Sequence, residues 1–213
     1  MKKTLIVVFS IFFILFFNIN IFGQLVSVGV GGGITQVLGP DSYTEDVSKN
    51  GLGFSTEYNF GVIGKVGLPL IPLTPRAFIL YHTLNGSGNA DLSLPKTATE
   101  QEIEFSQSIL TVGAGVQYGF IPVPAGVDPY LALDVMFNSF GDSTMKVNGQ
   151  EPTASGESRF GLGVGVGAEV TLIPMINLDV SATYKWFNLV GKEDNEETIS
   201  AVNLDLFFMF SFL

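Results

Sequence analysis

Eight ionisable side chains are spaced in a way that limits what they can do. Glu57, Lys65, Arg76, Asp134, Glu169, Asp179, Lys185 and Asp205 each lie on the polar or small-residue face of a stretch whose alternate residues are apolar. The apolar stripes opposite them carry no charge. If the charged face is turned inward, unpaired charge is costly there and acids must meet bases. Strand direction brings Lys65, Arg76, Glu169 and Asp179 to the same end, which predicts a mixed ion-pair cluster of these four with a structural or gating role. Glu57, Asp134, Lys185 and Asp205 are then further interior polar groups. Such an arrangement supports a lumen and is not a catalytic site.

Other chemistry has little to stand on. His82 is the one histidine, and a Ser–His hydrolase would need a serine in reach of it. No motif marks such a serine, and a histidine at a strand end near a loop reads as a solvated or interface residue. We therefore expect no enzyme activity and no catalytic residues. The chain has no cysteine, which removes disulfides, thiolate metal sites and a lipid-modified cysteine anchor. Acidic runs such as Glu193-Asp194 and Glu196-Glu197 lack the spaced ligands of a dedicated calcium loop and read as solvated surface charge. No metal and no cofactor is expected.

The elements that position these groups are strands. From Phe160 to Leu172 every second residue is apolar, with glycines, Glu169 and Thr171 between. After a turn at Pro174 the alternation resumes through Leu178, Val180, Ala182, Tyr184 and Trp186. A period of two over such lengths is a strand with two unlike faces. The same pattern recurs at about 25–36, 55–68, 76–84, 105–120, 130–140 and 199–213, giving eight strands with no helical period between them. The connections alternate: residues 37–54, 85–104, 141–158 and the stretch after Val190 are long and acidic. The others are short and begin Leu68-Pro69, Ile121-Pro122 and Ile173-Pro174.

At the N-terminus, Lys2 and Lys3 precede an uncharged apolar run from Leu5 to Phe17, with Gly23 before Gln24. This reads as a signal peptide over 1–23, cleaved near Gly23. Residues 24–213 then form one domain with eight basic and 20 acidic residues, a net charge near −12 that does not suggest nucleic acid. No later stretch is long and apolar enough for a membrane helix.

Loops sorted by length, together with an export signal, select a membrane barrel over a Greek-key sandwich. The expected fold is all-β: an eight-stranded antiparallel up-and-down transmembrane β-barrel with short periplasmic turns and longer extracellular loops. Apolar stripes then face lipid and charges face the lumen. On this pattern the sequence resembles the small outer-membrane β-barrel proteins of Gram-negative bacteria, the family of the OmpA transmembrane domain and the OmpW-like and OmpX-like barrels. The resemblance covers the whole mature chain as an architecture. Its most local element is the last strand, LDLFFMFSFL, in which Phe208, Phe210, Phe212 and Leu213 look like the assembly signal read by the barrel-insertion machinery. The terminal Leu213 departs from that family's usual aromatic ending.

The resemblance implies an outer-membrane location, with lipid, lipopolysaccharide and the barrel-assembly machinery as partners, no nucleic acid, and a monomer. The expected role is structural, or surface interaction through the acidic extracellular loops. The second reading is a narrow porin-like barrel for small or apolar solutes, and the third a lipid-modifying barrel enzyme.

Overall fold

The computed structural model describes residues 25–212 apart from 50, 69–70, 92–99, 121–125, 148–150 and 195. Ten strands follow in order: β1 (Leu25–Gly39), β2 (Thr56–Gly67), β3 (Leu73–Asp91), β4 (Glu100–Gly119), β5 (Val127–Phe140), β6 (Ser143–Val147), β7 (Thr153–Ala154), β8 (Ser158–Ile173), β9 (Ile176–Val190) and β10 (Ser200–Phe212). Each pairing is antiparallel. The order β3-β2-β1-β10-β9-β8-β5-β4 is closed by β3 on β4, so eight strands form a barrel with no free edge around its wall. The first and last of them, β1 and β10, pair from Val26↔Phe212 to Gly39↔Ser200.

The alternation seen in the sequence sorts outside from inside. Tyr58 on β2 is 72 % exposed, whereas Lys65 on the opposite face of the same strand is 3 % exposed. Val28, Phe60, Ile79, Val135, Val164, Leu204 and Phe208 all project outward, while Asp134, Asp179, Lys185 and Asp205 are buried within. A wall that is apolar outside and charged inside is inverted relative to a water-soluble barrel and matches a lipid solvent. The β8–β9 turn consists of Pro174 and Met175, with Met175 in the left-handed region at φ 73°.

Inward glycines make room for large neighbours. A Cβ on Gly113 would run into the Phe78 ring, and one on Gly29 into the Met209 sulfur. Ile63, Phe78, Leu80, Met136, Phe207 and Met209 thereby form an apolar cluster against the inner wall.

At the other end of the wall the expected strand limits and loops need correction. Strand β3 continues to Asp91 and β4 starts at Glu100, so the two pair from Leu73↔Tyr118 to Asp91↔Glu100. The stretch read as loop from 85 to 104 is therefore mostly a hairpin rising beyond the barrel. Both faces of a hairpin outside a bilayer can be wet, so Asn85, Ser87 and Ser106 show no apolar stripe. Residues 141–158 contain β6, which pairs with β4, and β7, which pairs with β6. Residues 40–55 include one helical turn, α1 (Asp41–Thr44), and a 3₁₀ turn at Val47–Lys49.

Candidate functional site in the barrel lumen

The side chains that fill the lumen form layers. Nearest the short connections, Lys65 reaches across from β2. Its Nζ donates to Glu169 Oε2 on β8 at 3.0 Å and to Asp179 Oδ2 on β9. Asp179 Oδ1 also accepts from the Tyr130 hydroxyl at 2.6 Å, and Glu169 Oε1 from Asn177 Nδ2 at 2.7 Å. The Lys65 ammonium lies 5.3 Å from the Tyr130 ring centre. This pairing ties strands on opposite sides of the barrel.

Arg76 takes a different partner from the one expected. Instead of joining Glu169 and Asp179, it binds Asp134 in a two-pronged pair, Nε to Oδ1 at 2.9 Å and Nη2 to Oδ2 at 2.5 Å. Register explains this: Arg76 pairs with Gly115, and Gly115 pairs with Asp134. With no side chain between them, the two meet over the glycine. Lys65 sits directly beside Arg76 across β2 and β3, a like-charge pair that costs energy unless each cation is satisfied. Gln117 serves both when its amide oxygen faces them, accepting from Lys65 Nζ at 3.2 Å and Arg76 Nη1 at 3.1 Å.

Midway along the barrel, Asn59 Nδ2 donates to Asp205 Oδ1 at 2.9 Å and to Thr35 Oγ1 at 3.2 Å. Thr35 shares a hydrogen bond of 3.0 Å with His82 Nδ1. His82 is fully buried and its ring lies edge-on to Phe187, so the expectation of a solvated strand-end histidine is corrected. Its bonded hydroxyl is a threonine within the lumen wall. Lys185 is buried between Asp134 and Asp205, with its Nζ 5.9 Å from the centre of the Phe78 ring. Glu57 lies higher, at the rim, where its carboxylate accepts from Asn85 at 3.2 Å.

The end with the long connections is filled by apolar side chains. Val37, Leu84, Ile109, Phe187 and Ala201 from the wall meet Phe54 and Ile199 from the loops, with Tyr43 and Leu52 packed against them. Sequence reading missed this plug. Its signal was present: Leu84, Ile109 and Phe187 are large apolar residues on the polar face, all near the same end.

Above it, Arg159 on β8 pins the β9–β10 loop. Its Nε and Nη2 donate to Glu196 at 2.8–3.2 Å, and Asn188 Nδ2 donates to the same carboxylate at 2.7 Å. Partial burial alone would raise the Glu196 carboxyl. The bonds from Arg159, Asn188 and the Glu193 amide outweigh it and hold the group down at about 2. Burial, and then the charge of Glu196, raise the Tyr43 hydroxyl.

Phe208, Phe210 and Phe212 project outward on β10. Leu213 and residues 1–23 lie outside the described residues.

Fold and lumen together define a lipid-embedded, side-chain-filled eight-stranded barrel. Residues 23–212 match the family model described as the outer membrane protein beta-barrel domain, and the chain belongs to that family. It is therefore a protein of the outer membrane, in which the short turns face the periplasm and the long loops the exterior. Among solved structures, a major outer membrane protein from Thermus thermophilus is similar at TM-score 0.55 and 14% identity, covering 90% of this chain and 100% of that one. Ail, the attachment invasion locus protein of Yersinia pestis in complex with the heparin analogue sucrose octasulfate, gives 0.52 and 13%, covering 90% and 100%. Neisserial surface protein A gives 0.51 and 16%, covering 90% and 98%. At these identities the likeness concerns the fold. No curated protein matches in sequence.

Proposed function

We propose that this barrel serves as an envelope or surface protein whose contacts are made by its acidic exterior end, and that it does not pass solutes. The observation that supports this reading is the lumen, occupied at two levels by unlike means: cross-barrel ion pairs below and an apolar plug above. With the interior committed to holding the wall together, contact with other molecules falls to the loops. Those loops are rich in carboxylates: Asp41, Glu45 and Asp46 in the first, Glu193, Asp194, Glu196 and Glu197 in the last.

Residues 1–23 are the cleaved export signal on this reading, and Phe208, Phe210, Phe212 and Leu213 present the final strand to the assembly machinery. The mature chain stands as a monomer among outer-membrane lipid and lipopolysaccharide. His82, sealed in the lumen, is a wall residue and carries no lipid chemistry. Its replacement is expected to leave lipid A unchanged.

Single-channel recording of the refolded barrel in a planar bilayer tests the proposal, with heat-modifiable gel migration as the folding control. A folded, silent barrel is the expected result. Reproducible discrete conductance would overturn it in favour of a narrow porin. The partner's charge is tested on immobilised heparin. Ail is seen with a heparin analogue, but a carboxylate-rich exterior should be repelled by a polyanion. No retention at low salt is expected, and retention would contradict the acidic-surface reading.

A further inference from the structure

One rung of the barrel carries an asymmetry. Arg76 pairs in register with Gly115, Gly115 with Asp134, Asp134 with Gly163, and Gly163 with Lys185. Asp134 is thus flanked by two glycines, each followed by a cation. On the Gly115 side the gap is bridged directly, since Arg76 takes both carboxylate oxygens. On the Gly163 side it is not. Lys185 Nζ is buried with no hydrogen-bond partner among the described residues, although Asp205 and Asp134 both act on it electrostatically.

The space between them is the right size for something small. A cavity lined by Lys185, Asp134, Asp205, Thr183 and Phe78 offers about 20 Å³ to the centre of a water-sized sphere. That exceeds the roughly 10–15 Å³ a single water requires, and a bound water needs two to four polar partners. Lys185 supplies donors, and the two carboxylates supply lone pairs left free by Arg76 and Asn59. An ammonium buried without any partner would cost several kcal/mol, which favours a polar occupant in this space.

We propose that this cavity is a water-binding site: an ordered water accepts from Lys185 and donates to Asp134 and Asp205. The bound water bridges a break in the lumen's polar file at Lys185. Below the break run Asp134, Arg76, Gln117 and Lys65, and above it Asp205, Asn59, Thr35 and His82. Lys185 is then held through a mediated ion pair, and a side chain at Gly163 would crowd the Asp134 carboxylate that holds the water. The atoms nearest a Cβ on Gly163 would be Thr183 Cγ2 at 3.3 Å and Asp134 Oδ2 at 3.4 Å, both on side chains, so no backbone atom stands closer to forbid one.

The test is NMR of the refolded, selectively ¹⁵N-lysine-labelled barrel in micelles, combined with thermal melts of Gly163→Ser and Gly163→Ala. A water site gives a cross-peak from a long-lived water to the Lys185 ammonium in the wild type. Serine returns a hydroxyl to the position whereas alanine only displaces the water. Gly163→Ser should therefore melt at or above the wild-type temperature and Gly163→Ala at least about 2 °C below Gly163→Ser. Loss of the cross-peak is expected in both. Absence of the cross-peak in folded wild type overturns the proposal whether or not the variants fold, as do equal melts of the two variants.

Discussion

The two ends of the lumen are closed by opposite physics. At the periplasmic end, Lys65, Arg76, Asp134, Glu169 and Asp179 are paired across the barrel by groups carried entirely on the strands. At the exterior end, Leu84, Ile109 and Phe187 on the wall need Phe54 and Ile199 from the connecting loops to complete their packing. The ionic closure is therefore part of the wall, fixed once the strands are in register. The apolar closure depends on loops outside the bilayer, and whatever displaces those loops loosens it. On the proposed reading, the exterior end can thus change its packing while the ionic end stays paired.

The largest effect should come from breaking the ionic end one partner at a time. Asp134→Ala leaves Arg76 buried and uncompensated, at a cost of about 3–5 kcal/mol. Urea unfolding of the refolded barrel in phospholipid vesicles would read this. Replacing both members, Arg76→Met with Asp134→Leu, should recover much of the loss, since the pair must offset its own desolvation. If the double variant is no better than the single, the pair is not the unit described.

Phe187→Ala at the apolar end should cost about 3 kcal/mol by emptying the centre of the plug. The two closures are sharpened further by conductance. Lys65→Ala combined with Arg76→Ala should remain silent because the plug still blocks the path. Adding Phe187→Ala and Leu84→Ala should give discrete openings. Current from the ionic variants alone would show that the plug does not seal.

Much of this is legible in the amino-acid sequence. The stripes of apolar residues mark two unlike faces on each strand, the export signal and the sorting of the loops decide which face meets lipid, and the alternation of long and prolyl connections gives the barrel topology. The inward location of Lys65, Arg76, Asp134 and Lys185 followed from the same period of two. Partner choice was not legible, because Arg76 finds Asp134 through strand register and through the absence of a side chain at Gly115, and neither is local information. The rise of β3 and β4 beyond the barrel was hidden for another reason: Gly86, Ser87 and Gly88 pair through their backbones with no lipid to demand an apolar face. The plug is only half legible, because Leu84, Ile109 and Phe187 show on the inner face whereas Phe54 and Ile199 reach it from loops that no strand period places.

A smaller effect belongs to the loop clamp above the plug. Glu196 has a carboxyl held at about 2 in the folded protein, below its ordinary value of 4.5. A lowered folded value means that the stabilisation is present above about pH 4.5 and is lost as pH falls toward 2. Protection of the Ile199 amide, which donates to Asn188, should therefore decline over that window relative to amides of the barrel wall. In Glu196→Gln this decline should be absent and protection low throughout. Equal pH responses in wild type and variant would remove Glu196 from the role.

The smallest effect is expected at Lys146 and Glu151, an ion pair of 3.5 Å on the exterior hairpin with both side chains more than half exposed. Like the interior pairs it joins a cation to a carboxylate, yet it is longer, water screens it and two long side chains must be ordered to form it. Surface pairs of this kind contribute about 0–1 kcal/mol. Lys146→Ala should leave the urea midpoint unchanged within error, at any salt concentration, while Asp134→Ala shifts it strongly. If the two shifts were similar, burial would not be what gives the lumen pairs their strength, and the contrast between the two ends of the barrel would need another cause.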